Sequence, residues 1–188
     1  ALADAHVQKL QLQALQKVLG NIRNVAPNQP LPALSPPEIA LSAIPLQAGE
    51  KAAREQYETI IAAAPSSTMG VRARVELAEL QHQRGENDAA LEGLASALED
   101  TPPAELSERI HLRIAACLLA KGEIGGALAR AQFVANKPAA GLAAEARYAT
   151  AEVHIHQKDW GNAISQLTPF RDNDPFRNAR TVTASPVM

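Results

Sequence analysis

Alanine returns along this chain at a nearly fixed interval: Ala53, Ala90, Ala127 and Ala163, at steps of 37, 37 and 36 residues. Four residues after each stand Tyr57, Leu94, Ala131 and Leu167, and three further on stand Ile60, Ala97, Val134 and Phe170. A proline closes each copy, at Pro65, Pro102, Pro138 and Pro175. Upstream of the later alanines, Ala73, Leu77 and Leu80 correspond to Ile110, Ile114 and Cys117, and again to Ala146, Thr150 and Val153. Spacings of three and four residues put each set on one face of a helix. A lone helical hairpin cannot cover such a face, whereas stacked hairpins share a continuous core. The register therefore predicts an all-α solenoid of antiparallel helical hairpins.

Within each copy the breaks fall where helices must end. Residues 49–65 read as a second helix stopped by Pro65. Residues 68–85 and 86–102 read as a pair broken at Gly85, 103–122 and 123–138 as a pair broken at Gly122, and 139–158 and 159–170 as a third pair. Alanine at the crossing lets two backbones approach, and the larger residue one turn later wedges against the next hairpin. Pro169 is expected to shorten the last helix, and the bulk of Trp160 to seal the end of the stack.

"GENDAALEGLASALEDTP" carries a short central turn, an alanine opening the second helix, a large apolar residue four later and a closing proline. It resembles the tetratricopeptide repeat. "GEIGGALARAQFVANKP" is similar, with Ala131 in place of the large residue, and "KDWGNAISQLTPFRDNDP" has Lys158 in place of the glycine. The resemblance covers about residues 49–175 and implies a right-handed solenoid whose first helices line a concave surface that binds an extended peptide or a partner helix. The usual repeat of that family is about 34 residues. A period of 36–37 resembles the looser variant of bacterial envelope proteins, so an envelope-assembly scaffold is expected, with a homo-oligomerising structural subunit as the alternative.

The flanks differ from the repeats. Residues 1–26 read as a helix with Leu12, Leu15, Leu19 and Ile22 on one stripe, for packing or self-association. Residues 27–48 read as a proline-rich linker in which "EIALSAI" can form a short helix, and 176–188 as a tail without a period. The chain opens at Ala1 rather than Met, so an upstream segment is expected to have been removed. With it goes the expectation of a periplasmic or membrane-associated setting.

Composition narrows the chemistry. Lys plus Arg is 18 and Asp plus Glu is 20, a net charge of −2, so no basic excess gathers nucleic-acid phosphates. Aromatic residues make up 3%, too few for a base-stacking platform. No apolar run is long enough to span a bilayer. No phosphate loop, metalloprotease helix or nucleophile elbow occurs. His154 and His156, two apart, point in different directions on a helix and cannot share a metal ion. His154 is expected to be a hydrogen-bonded packing residue. Cys117, the single cysteine, shares the register of Leu80 and Val153 and is expected to be a buried, inert thiol. Glu76 and Glu79 are expected to be solvated helix charges rather than an acid–base pair. A non-enzymatic chain without cofactor or metal is expected, bound to a protein or peptide.

The face opposite the core positions carries Arg72, Glu76, Glu79 and His82 in the first full hairpin, Arg109, Leu112, Arg113 and Leu119 in the second, and Glu145, Tyr148, Glu152 and His156 in the third. An acidic group of a partner is expected at Arg109 and Arg113, where arginine can fork onto a carboxylate. Leu112 and Leu119 are expected either to supply an exposed apolar anchor or to pack against the neighbouring helix or the proline-rich segment.

Overall fold

The computed structural model describes residues 44–136 and 141–172. The expected helix of residues 1–26, most of the proline-rich stretch 27–48, the tail 176–188 and the closing prolines Pro138 and Pro175 lie outside the described residues. The chain divides into two compact units, Ala1–Ala52 and Ala53–Met188, and the division falls within helix α1 (Ala48–Ala63). In the first unit, residues 45–47 are not helical, and the Lys51 amide donates to the Gln47 carbonyl at 3.0 Å as α1 opens.

The second unit continues as α2 (Thr68–Gln83), α3 (Asn87–Glu99), α4 (Ala104–Ala120), α5 (Ile124–Ala135), α6 (Ala143–His156) and α7 (Trp160–Asp172). The described residues contain no strand. The pairs α2–α3, α4–α5 and α6–α7 form hairpins, and α3 packs on α4 and α5 on α6 to join them in a row. This is the all-α hairpin repeat that the register predicts.

The crossing alanines sit where helix backbones meet: Ala90, Ala127 and Ala163 are all buried. A first core gathers Val71, Val75 and Ala78 of α2, Ala90, Leu94 and Ala97 of α3, and Ile110, Ile114 and Cys117 of α4. A second joins Leu112, Val134, Leu142 and Ala146. The share of α2 departs from the expected stripe. Ala73 is buried, but Leu77 and Leu80 are only half-buried, and Val71, Val75 and Ala78 carry the packing. Ala53, Tyr57 and Ile60 of α1 are half-buried. Arg54 ties α1 to the turn after α2 by two hydrogen bonds to the Glu86 carboxylate, at 2.8 and 3.2 Å.

The three hairpin turns are copies of one geometry. The amides of Gly85, Gly122 and Lys158 donate to His82, Leu119 and Ile155, and the following amides of Glu86, Glu123 and Asp159 donate to Gln81, Leu118 and His154, all within 2.8–2.9 Å. This double bond pattern requires a left-handed residue just past the helix end. Gly85 and Gly122 take it at φ 75° and 78°, and Lys158 takes it at φ 59° despite its side chain. Two elements of the last hairpin differ from expectation. Helix α7 runs through Pro169 to Asp172. Proline lacks the amide that would bond the turn before it, yet its φ suits a helix, and here it costs one bond without stopping the chain. Trp160 is 58% exposed and does not seal the stack.

Candidate functional site

The same register that aligns the core aligns the other face of the first helices. Helix α4 touches both α2 and α6. The 37- and 36-residue steps set residues in rows along that face: Arg72, Arg109 and Glu145; then the buried Val75 and Leu112 with Tyr148; then Glu79, Ala116 and Glu152. Two depressions follow. Between α2 and α4 a groove of about 360 Å³ is lined by Thr68, Arg72, Val75, Glu76, Pro103, Glu105, Leu106 and Arg109. Between α4 and α6 a narrower slot of about 40 Å³ is lined by Arg109, Leu112, Arg113, Ala116, Leu119, Glu145, Tyr148, Ala149, Glu152 and neighbouring atoms. Arg109 borders both.

The two arginines of α4 differ in availability. Arg113 Nε lies 3.0 Å from Glu79 Oε2, with both side chains largely buried, and Glu79 Oε1 accepts from Gln83 at 3.2 Å. Arg113 is thus committed within the fold, and Glu79 is not the solvated charge expected of it. The nearest acid to Arg109 is Glu105, at 3.9 Å on the same helix, and both are exposed. Such a pair holds the guanidinium only weakly. Arg72, exposed on the neighbouring helix, makes no ion pair among the described residues.

Leu112 is 8% exposed and belongs to the second core, so it is no exposed anchor. It floors the slot while the half-buried Leu119 stands higher on the wall. On the facing wall, burial pushes the Glu152 carboxyl above its ordinary range, opposed by the Tyr148 hydroxyl and the positive field of His156. The charge of Glu152 in turn raises the Tyr148 phenol. His156 is exposed at the end of α6. His82 is bound elsewhere: its Nδ1 lies 2.7 Å from Asn87 Oδ1 and braces the hairpin turn. Glu76 and Glu145 line the first and second depressions respectively.

Cys117 and His154 both sit in the packed interior. Cys117 is 1% exposed, and burial together with the Glu79 charge pushes its thiol up to about 11. A thiolate is scarce at neutral pH under those conditions. His154 is buried, but its Nδ1 has no hydrogen-bond partner; the Asp159 carboxylate stands 3.6 Å away. Among the described residues, no group of three or more His, Cys, Asp or Glu side chains could hold a metal ion. None of the described helices is long and apolar enough to cross a membrane.

Comparison with family models matches residues 40–165 to the tetratricopeptide repeat-like domain. The chain belongs to that family. Comparisons with curated proteins and with solved structures found no match. Domains of this family mediate protein–protein interaction and are typically non-catalytic scaffolds.

In this tetratricopeptide repeat-like domain the sequence reading missed Thr68, Pro103 and Leu106, which line the wider groove. All three stand in the first turn of a first helix or just before it, where a stripe read from the middle of a helix does not reach. Phe133 stands beside His111 on the outer side of α5. It is 46% exposed, its ring centroid 4.5 Å from that of His111, and Arg130 Nη1 approaches His111 Nδ1 at 3.0 Å.

Proposed function

We propose that this tetratricopeptide repeat-like domain is a non-enzymatic scaffold that holds a protein segment along the outward face of α2, α4 and α6. The segment places an acidic group at Arg72 and Arg109 and an apolar side chain in the slot between α4 and α6. The observation that carries this reading is the position of Arg109: it borders both depressions, and only a weak surface pair holds it. Arg113 supports the site indirectly by fixing Glu79 against α4. A carboxylate bound between two guanidiniums gains charge-assisted hydrogen bonds that also set its orientation.

The probe is a library of ten-residue peptides with Asp or Glu beside Leu or Phe, read by fluorescence anisotropy. Arg72→Glu with Arg109→Glu is expected to weaken the best binders about a hundred-fold, roughly ten-fold per lost contact, with helicity unchanged. Binders that ignore both substitutions overturn the site. The 36–37-residue spacing supports an envelope-assembly setting, periplasmic or membrane-associated. Fractionation of source cells with an antibody to residues 44–172 tests it, and recovery in the cytosol alone overturns it.

A further inference from the structure

A third depression, of about 330 Å³, opens among α1, α2 and α3, entirely within the second unit. Ile61, Arg74, Leu77, Gln81, Gly93 and Ser96 line it. One repeat on, 37 residues later, the same places hold Leu98, His111, Ile114, Leu118, Arg130 and Phe133. There the chain fills the space with its own side chains. Phe133 lies tilted on His111, with ring centroids 4.5 Å apart, and Arg130 Nη1 approaches His111 Nδ1 at 3.0 Å. Leu98 and Leu118 pack on the first core. The first copy lacks both filling groups, because glycine stands for Arg130 and serine for Phe133. A Cβ at Gly93 would meet no neighbouring atom within 4 Å.

The charges differ in the same sense. Glu92 lines the open groove, where Ala129 stands in the filled copy. Glu58, one turn before Ile61, and Glu99, one turn beyond Ser96, are further exposed acids on the same helices. None of them makes an ion pair among the described residues, whereas the lining cation Arg74 is engaged by Asp100. We infer that this groove receives an aromatic side chain of a protein partner flanked by arginine or lysine, seated as Phe133 and Arg130 are seated one repeat on. The incoming ring lies against the Arg74 guanidinium, as Phe133 lies against His111. The incoming cation meets Glu92 at the rim. An aromatic anchor in a small pocket carries most of the affinity, and the rim charges orient the segment. The groove therefore takes a basic segment, opposite in sign to the acidic one proposed for the outward face of the first helices.

The probe is a short Gly/Ser peptide with Phe between two arginines, read by fluorescence anisotropy against the full chain. It is expected to bind with a dissociation constant of about 10⁻⁵–10⁻⁴ M, and its Phe→Ala version at least about ten-fold more weakly. Gly93→Arg with Ser96→Phe gives the first copy the side chains of the second, and is expected to abolish binding with helicity retained. Glu92→Lys, on the exposed rim, is expected to weaken binding about five-fold and decides the matter if the double variant loses helicity. Arg72→Glu with Arg109→Glu is expected to leave binding unchanged. No binding by the peptide, or binding that ignores both groove variants, overturns the proposal. Loss on changing Arg72 and Arg109 places the peptide on the other face and overturns it too. The tail of this chain carries Phe176 beside Arg177. Peptide binding that appears only in the full chain with Phe176→Ala and Arg177→Ala shows that the tail, rather than a partner, takes the groove, and also overturns the proposal.

Discussion

The first hairpin, α2–α3, and the last, α6–α7, obey one register and meet different fates. In α3, Ala90, Leu94 and Ala97 are fully buried because α4 closes over them. In α7, Ala163 is buried against α6, but Leu167 and Phe170 are half-buried and Ile164 is largely open. Equivalent residues therefore have no fixed worth. The inner part of the hairpin is sealed by its own partner helix, whereas the outer part is sealed only by the next unit. Burial in a repeat row is a property of having a neighbour, as expected where each repeat touches only those beside it.

The largest effect that separates the two hairpins is a truncated core. Leu94→Ala is expected to cost about 3–4 kcal/mol, whereas its register mate Leu167→Ala costs about 1 kcal/mol, both read from urea unfolding. Equal losses would mean that the last hairpin is as closely covered as the first. The turns sharpen the contrast at a smaller scale. Lys158→Gly is expected to stabilise by about 0.5–1 kcal/mol, because lysine holds a left-handed conformation that glycine takes without a steric penalty, and Gly122→Lys is expected to destabilise by about 1 kcal/mol. If both changes are neutral, the shared turn geometry is not what fixes the hairpins.

The smallest effect belongs to Glu152 and depends on pH. Its carboxyl is raised in the folded chain chiefly by burial, so the folded state holds this proton more tightly than the unfolded one. Stability from this group is present below the ordinary carboxylate range and falls as pH rises through the folded value. Glu152→Gln removes that loss and keeps an acceptor for the Tyr148 hydroxyl. Thermal melts are expected to show the variant gaining on the wild type as pH rises above the ordinary carboxylate range, with no difference in acid. A variant that loses ground as pH rises would mean that the carboxylate is stabilised by groups around it.

Much of this architecture is legible as spacing. Ala90, Ala127 and Ala163 mark the crossings, and the exchange of Gly85 and Gly122 for Lys158 already locates the third turn. The site was legible in part. Arg72, Arg109, Glu145, Tyr148 and Glu152 do border the depressions between first helices. For Leu112 the packing alternative holds and the exposed anchor does not, because first helices are packed on two sides, and one sequence stripe cannot show which of its flanks a neighbour will cover. Arg113 was misread for a related reason: its partner Glu79 stands 34 residues earlier, across a contact that no local spacing records.

By itself the sequence determined the helices, their turns and their repetition, because these rest on propensities and periods acting within a few residues. Only the tertiary structure decided which arginine is spent on the fold and which leucine is a floor. The same is true of the tryptophan that stays open to water. Each of those outcomes depends on what lies across from the side chain, and that is set by hairpins meeting at distances the local pattern does not encode.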